Sequence, residues 1–186
     1  MRKKVFIGLS GEPGSGKDTV AKIIKEEFGA KVLTSSYLLK RSLSIFLDEF
    51  SRKDMIWYVK ELTKQFGEDI ISKAMIKSMK RFKREMVVFN GVRLPSDCEY
   101  LKKEKARLIY ITADPRLRWK RIRIRNEKTD DNASWEKFMQ MHYEKTEISV
   151  PKIGEKADYV IENNGTREDL KNKVVEVIEK IKKQSL

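Results

Sequence analysis

The stretch that decides the fold reads Gly11-Glu12-Pro13-Gly14-Ser15-Gly16-Lys17-Asp18-Thr19 and lies near the start of the chain. It follows a short apolar run, residues 5–9, and precedes residues 18–28, whose apolar positions have helical spacing. It fits the pattern G-x-x-x-x-G-K, with Asp18 where Ser or Thr is usual. Glycines permit the positive φ angles that turn consecutive backbone N–H groups toward one anion, and the following helix adds the positive end of its dipole. The stretch therefore predicts a phosphate-binding loop between a strand and a helix.

The side chains of this loop predict a site for ATP and Mg²⁺. Lys17 would bring a positive charge to the β- and γ-phosphates, where negative charge shifts during transfer. Asp18 is the candidate ligand of Mg²⁺, directly or through water, and the Thr19 hydroxyl is the alternative ligand. The ATP-binding residues expected in the loop are Gly11, Pro13, Gly14, Ser15, Gly16, Lys17, Asp18 and Thr19.

The remainder of the chain predicts an α/β fold. Four further apolar runs are continuous rather than alternating, which is typical of strands buried on both faces of a parallel sheet: 31–34, 86–89, 108–112 and 159–162. Segments with helical spacing separate these runs, so we expect a three-layer sandwich with a five-stranded parallel sheet and right-handed crossovers. We expect one domain, 1–186, in which two helical excursions, about 35–85 and about 116–149, flank one sheet edge and close on a two-substrate site.

Composition and charge restrict the class of partner. There are 41 Lys and Arg residues against 28 Asp and Glu, a net charge of +13, which favours nucleic acid or small substrates carrying phosphates. Two clusters without acids, 77–84 and 116–125, hold five and six basic residues. The alternative is a solvated Lys/Glu-rich surface of the kind found in thermophilic proteins.

Rare residues and apolar run lengths exclude other classes. The single cysteine, Cys98, excludes an internal disulfide, and the single histidine, His142, excludes a His-rich metal centre. No apolar run approaches the roughly 18 residues of a membrane span. We therefore expect a cytoplasmic protein that has no membrane partner and is a monomer or a small homo-oligomer.

The order of the motifs resembles that of the P-loop nucleoside monophosphate kinases. After the phosphate loop come VLTSSYLLKR (32–41), VVFNGVR (87–93), the arginine-rich segment 116–125 and ADYVIENNGT (157–166). The resemblance covers nearly the whole chain and is nearest to archaeal adenylate-kinase-related and dephospho-CoA-kinase-like proteins. It implies an ATP- and Mg²⁺-dependent kinase that transfers the γ-phosphoryl group to a nucleoside monophosphate of the AMP, CMP or dNMP type.

The resemblance also implies an acceptor site. Ser35, Ser36 and Tyr37, which follow the second strand, would contact the acceptor base or sugar, and Arg41 (or Lys40) would contact its phosphate. Arg93 comes just after the third strand, at the carboxyl end of the sheet where open α/β folds bind ligands. Its guanidinium can grip a phosphate through two hydrogen bonds. Related kinases carry an Asp before the glycine at this strand end to organise the Mg²⁺ waters, and here the residue is the neutral Asn90.

An arginine-rich helix supplies the remaining candidates. Arg118, Arg121 and Arg125 fall within about 60° of one another around a helix. Like charges three and four residues apart destabilise a helix, so this face predicts an anionic partner. The resemblance assigns Arg121 to the donor nucleotide and Arg125 to the transferred group, which makes them catalytic candidates together with Lys17. It also places Asn164, in the turn 163–165, beside the donor adenine.

Two other functions stay open. Dephospho-CoA is the main competing acceptor, because that kinase shares the layout of motifs. In a different class, the basic clusters favour a nucleotide-gated protein that binds RNA or ribosomes.

Overall fold

A parallel sheet forms the centre of the computed structural model, which describes residues 4–125, 134–141 and 149–185. Its strand order is β2-β3-β1-β4-β5. Every pairing is parallel, with Ile7 of β1 opposite Val88 of β3 and Leu9 of β1 opposite Ile109 of β4. The strands are β1 (Val5–Gly11), β2 (Lys31–Leu33), β3 (Met86–Asn90), β4 (Arg107–Thr112) and β5 (Tyr159–Glu162).

Helices cover both faces of the sheet, so the expected three-layer sandwich is confirmed. Alternate residues of β1 point to opposite layers: Ile7 and Leu9 pack under α1 and α9, and Phe6 packs under α4 and α5. The helices are α1 (Lys17–Phe28), α2 (Ser35–Leu43), α3 (Arg52–Phe66), α4 (Ile70–Arg81), α5 (Pro95–Lys103), α6 (Pro115–Arg125), α7 (Trp135–Met141), α8 (Ser149–Gly154) and α9 (Arg167–Ser185).

The two core layers hold the central strands rigidly. Ile7, Leu9 and Ile109 are fully buried against α1 and α9, and Val87 and Phe89 are fully buried on the opposite face. Each fully buried side chain of this size contributes about 1.5–3 kcal/mol. The carboxyl ends of β1, β3 and β4 therefore meet at fixed positions on one edge of the sheet.

Helices α2 to α4 lie between β2 and β3, and α6 to α8 lie between β4 and β5. Helix α3 begins at a capping box of Ser51 and Asp54, yet none of its residues is buried. Helix α4 buries Met75 and Met79 against the sheet and so anchors this excursion. None of the described helices is both long enough and apolar enough to cross a membrane.

Candidate active site

The predicted phosphate loop connects the end of β1 to the start of α1. Gly14 and Gly16 have φ angles of 77° and 95°, in the left-handed region that favours glycine. A Cβ at Gly14 would lie 2.5 Å from the carbonyl oxygen of Arg118, and one at Gly16 would collide with Nδ2 of Asn163. Glycine is therefore required at both positions by backbone conformation and by space.

Lys17, Asp18 and Asn90 form a hydrogen-bonded triangle at the loop. Lys17 Nζ donates to Asn90 Oδ1 at 2.8 Å and to Asp18 Oδ1 at 3.1 Å. Asn90 Nδ2 donates to the same Asp18 oxygen at 2.8 Å. Asn90 is the last residue of β3, beside β1, so the sheet itself brings this amide to the loop. The triangle unites two residues expected in the site with one whose role the sequence left weak.

The electrostatics of the triangle keep Asp18 ionised. Partial desolvation by the surrounding protein acts to raise the pKa of this largely exposed carboxyl, but the charge of Lys17 and the hydrogen bonds from Asn90 and Lys17 outweigh it. Arg125 acts in the same direction from α6, and the pKa of Asp18 is lowered overall. An ionised carboxylate is thus available beside a lysine and an arginine, which is the chemistry that a divalent cation and phosphates require.

The arginines of α6 differ in burial along their common face. Arg118 is only 4% exposed, Arg121 is half-buried and Arg125 is exposed. Nη1 of Arg121 is buried and has no hydrogen-bond partner among the described residues, and burial lowers the pKa of this guanidinium. A buried donor without a partner is costly, so Arg121 is suited to an anionic ligand.

Arg118 belongs to the support of the loop and not to a solvent-facing anion site. Its Nε donates to the carbonyl oxygen of Ala113 at 3.1 Å, and its Nη2 lies 3.9 Å from Oε1 of Glu12. The ring of Tyr110 borders the same cluster: burial, then the Glu12 carboxylate, raises the pKa of the phenol above its usual range. Helix α6 is therefore joined to the phosphate loop through a buried ion pair.

The turn after β5 holds the loop from another side. Asn163 Nδ2 donates to the carbonyl oxygen of Ser15 at 2.8 Å. Asn164 Oδ1 instead accepts from the backbone N–H of Asp114 at 2.8 Å, and Asp114 Oδ1 caps α6 by accepting from the N–H of Arg116. Asn163 thus contacts the loop itself, while the predicted Asn164 lies at the start of α6.

The predicted acceptor residues occupy two places. The carbonyl oxygen of Arg93 accepts from Ser149 Oγ at 2.5 Å, and Asp97 Oδ2 accepts from the N–H of Arg93 at 3.0 Å, so this segment is fixed at the edge of the sheet. Ser36 and Tyr37 make local contacts: both bond to Thr34 Oγ1, and the Tyr37 ring lies 5.8 Å from Lys31 Nζ. Arg41 lies in the last turn of α2 and is exposed.

Three residues support the site in roles that sequence reasoning did not predict: Glu12, Asn163 and Asn90, whose amide bridges Lys17 and Asp18. The signal for Glu12 was an acid inside a phosphate loop, which needs a cation behind it; the signal for Asn163 was only a turn-forming residue. His142, which sequence reasoning did not assign to catalysis, lies outside the described residues. Within those residues no three His, Cys, Asp or Glu side chains form a cluster that could hold a metal ion by themselves. A magnesium site does not require such a cluster, because Mg²⁺ is bound by one or two carboxylates together with substrate phosphates.

Comparison with known families identifies the family of this chain. A family model described as an AAA domain matches residues 7–148, which include the phosphate loop, Asn90 and all of α6. The chain belongs to this family. A UPF0200 protein of Sulfurisphaera tokodaii is 31% identical over 177 residues, which is 95% of this chain and 97% of that relative. The chain therefore also belongs to the UPF0200 family. A UPF0200 protein of Saccharolobus islandicus is 29% identical over 178 residues, 94% of this chain and 93% of the relative.

Solved structures show the same fold. Dephospho-CoA kinase from Campylobacter jejuni superimposes on this chain with a TM-score of 0.62 at 19% identity. The match covers 97% of this chain and 98% of that kinase. Shikimate kinase from Acinetobacter baumannii superimposes with a TM-score of 0.58 at 19% identity, and the match covers 96% of this chain and 95% of that kinase. TT1252 from Thermus thermophilus superimposes with a TM-score of 0.64 at 18% identity, and the match covers 96% of this chain and 98% of TT1252. The expected resemblance to P-loop kinases is therefore confirmed at the level of the fold.

Proposed function

We propose that the chain is an ATP-dependent phosphotransferase that moves the γ-phosphoryl group of ATP to a nucleoside monophosphate of the AMP, CMP or dNMP type. The observation that carries this proposal is the triangle of Lys17, Asp18 and Asn90 at a glycine-lined loop, with the charge of Arg125 acting on it. Phosphoryl transfer needs positioning and charge more than a general base, and this site supplies both.

Each residue has a role in this proposal. Backbone N–H groups of the loop would hold the β-phosphate, and Lys17 would bridge the β- and γ-phosphates. Arg121, whose buried Nη1 has no partner among the described residues, would bind the donor phosphates, and Arg125 would stabilise the transferred group. Asp18 would hold Mg²⁺, which when bound neutralises phosphate charge.

The acceptor site is the second part of the proposal. Arg93, fixed at the carboxyl edge by Asp97 and Ser149, would bind the acceptor phosphate. Ser36, Tyr37 and Arg41 of α2 would bind the remainder of the acceptor. Dephospho-CoA remains the alternative acceptor. Shikimate is tested beside it, because a dephospho-CoA kinase and a shikimate kinase share the fold of this chain.

A direct assay tests the proposal. The full chain is incubated with ATP and Mg²⁺ together with AMP, CMP, dTMP, dephospho-CoA or shikimate, and ADP formation is measured. We expect ADP formation well above background with a nucleoside monophosphate. Lys17→Met should lower the rate by about 10²–10³-fold, as loss of a donor to transition-state charge does elsewhere. Lys22→Met, which removes an exposed lysine of the same helix, is the matched control and should leave the rate unchanged. Absence of ADP formation with every acceptor would overturn the proposal.

A second candidate function, binding of RNA, is favoured by the position of the basic segment 77–84. This segment ends α4 and precedes β3, at the edge of the sheet opposite the phosphate loop. Lys4 Nζ donates to the carbonyl oxygen of Lys80 at 3.0 Å, and Lys80 Nζ pairs with Glu104 at 2.6 Å, so three chain segments meet there. RNA binding that falls steeply with salt would support it, and negligible binding at about 0.1 M salt would exclude it.

A further inference from the structure

Two positions at the site depart together from the common P-loop pattern. P-loop enzymes hold Mg²⁺ with a Ser or Thr that follows the loop lysine and with an Asp of a neighbouring strand. Here the residue after Lys17 is Asp18, and the residue that ends β3 is Asn90. A carboxylate stands where the neutral ligand is usual, and a neutral amide stands where the carboxylate is usual.

The structure joins these two departures directly. Asn90 Nδ2 donates to Asp18 Oδ1 at 2.8 Å, while Asn90 Oδ1 accepts from Lys17 Nζ at 2.8 Å. The lysine fixes which end of the amide is the acceptor, so the amide nitrogen must face the carboxylate. An amide satisfies both neighbours at once, because Lys17 requires an acceptor and Asp18 requires a donor, whereas an ionised carboxylate at this position could not donate to Asp18.

Burial explains why only one of the two positions carries a charge. Asn90 is 7% exposed, whereas the side chain of Asp18 is 78% exposed. A carboxylate at position 90 would be buried and within hydrogen-bond distance of the Asp18 carboxylate, and two such groups cannot both stay ionised without a large cost. The exposed carboxylate has its second oxygen, Oδ2, without a hydrogen bond among the described residues, so it can accept a cation.

We propose that the carboxylate and the neutral residue of the magnesium site have exchanged places in this chain. Asp18 is the carboxylate that binds the cation of the nucleotide complex, and Asn90 is a positioning residue that orients Asp18 and Lys17. An exposed carboxylate beside bound phosphates fits Mg²⁺, which takes one or two carboxylates and keeps several waters. The inference rests on the proposed binding of ATP by the loop.

The exchange is tested by reversing it. Four proteins are compared: the wild type, Asp18→Asn, Asn90→Asp and the double variant, in which the two side chains trade places at unchanged net charge. Binding of a fluorescent ATP analogue is titrated with and without Mg²⁺, and Mn²⁺ bound to the protein–nucleotide complex is counted by electron paramagnetic resonance. Neither readout depends on catalysis.

We expect Mg²⁺ to tighten nucleotide binding in the wild type and about tenfold less in Asp18→Asn. The double variant should regain most of the Mg²⁺ effect, because a carboxylate is again present beside Lys17. Glu26→Gln is the matched control: it removes one exposed carboxylate from α1, away from the loop, and should keep the full effect. Circular dichroism and melting temperatures verify that all variants are folded.

The outcomes separate this inference from the proposed function. If the wild type binds no nucleotide, the proposed function fails and the inference with it. If nucleotide binds and Asp18→Asn retains the full Mg²⁺ effect, only the exchange is overturned. A double variant as weak as Asp18→Asn overturns it as well, because position 90 then cannot take over the ligand role. Loss of the effect in Thr19→Ala but not in Asp18→Asn would assign the cation to the hydroxyl instead.

Discussion

Gly16 and Gly29 both adopt left-handed backbone angles, with φ of 95° and 63°, at the two ends of α1. Their surroundings differ. A side chain at Gly29 would meet nothing within 4 Å, whereas one at Gly16 would collide with the amide of Asn163. The strain of a left-handed alanine, about 1–2 kcal/mol, applies to both positions, and displacement of Asn163 applies only to Gly16.

Both variants should therefore be destabilised by the strain, and Gly16→Ala should lower the free energy of unfolding by about 1–3 kcal/mol more than Gly29→Ala, because displacement of Asn163 breaks its hydrogen bond to the Ser15 carbonyl. Urea unfolding of both variants measures the difference. Nucleotide affinity should fall only in Gly16→Ala. Equal losses of stability would mean that Asn163 moves aside without cost.

At the residue scale, the sequence identified side chains whose role follows from a motif and missed those whose role follows from folding. Lys17 and Asp18 were predictable because the loop pattern fixes their position in any β–loop–α unit. Asn163 lies 148 positions after Ser15 in the sequence and outside the loop pattern, so only the folded structure shows that its side chain reaches the Ser15 carbonyl. Arg118 was expected on an anion-binding face, but its place in the first turns of α6 buries it behind the loop.

The attachment of α6 to the loop is the main feature at the scale of the elements. Arg118 is buried beside Glu12 and over the ring of Phe138 in α7, at 5.6 Å from its centroid. Removal of one partner from a buried ion pair leaves the other charge uncompensated, which costs about 3–5 kcal/mol.

Arg118→Met should therefore destabilise the protein by about 3 kcal/mol, and the double variant Glu12→Gln/Arg118→Met by less than the sum of the single changes. Urea midpoints of the three variants measure this coupling. In the proposed reaction, Arg118→Met should lower kcat more than it raises KM for ATP, because α6 carries Arg121 and Arg125. Additive losses of stability would show that the pair is not coupled.

Helix α3 is held differently from the helices of the core. It has no buried residue, and Ile56, Trp57 and Phe66 are about half exposed or more. Local opening requires little loss of apolar contact in such a helix. Amides of α3 should exchange with solvent at least tenfold faster than those of α1, measured by hydrogen–deuterium exchange. Equal protection in the two helices would contradict this expectation.

The elements were predictable where burial is complete and less so where it is partial. The five strands are continuous apolar runs because both faces of the sheet are covered, and the expected and observed bounds differ by no more than two residues. Within the excursion expected over about 35–85, helix α2 ends at Leu43 although apolar residues continue, and Ile45 and Phe46 beyond it are largely exposed. An apolar pattern predicts a helix only where another layer covers it.

At the scale of the whole molecule, the stability of the fold should decrease as the pH becomes acidic. In the part of the chain that the structure describes, six carboxyl groups have pKa values lowered in the fold, mainly by hydrogen bonds or by a neighbouring lysine: Asp18, Asp54, Asp69, Glu136, Asp169 and Glu176. A lowered pKa means that the unfolded chain binds protons more readily, so the stabilisation is present above about pH 4–4.5 and is lost as pH falls through the folded values. The net charge of +13 adds repulsion once carboxylates are neutralised.

The melting temperature should therefore be nearly constant from about pH 5 to 8 and fall below about pH 4. Lys73, Lys171 and Lys180 have raised pKa values because each is bonded to a carboxylate, and their contribution is lost only above about pH 10.5. Differential scanning calorimetry across this range measures the profile. A maximum of stability below pH 4 would contradict the assignment.

The three tryptophans stand outside the sheet: Trp57 on α3, and Trp119 and Trp135 on α6 and α7, where their rings meet edge to face at 5.9 Å. The Arg116 guanidinium lies 3.9 Å from the centre of the Trp135 ring. Indole emission changes with the polarity and charge around the ring. All three indole rings thus lie on the two helical excursions and none lies in the core, so a change at either excursion can be followed by tryptophan fluorescence without a dye.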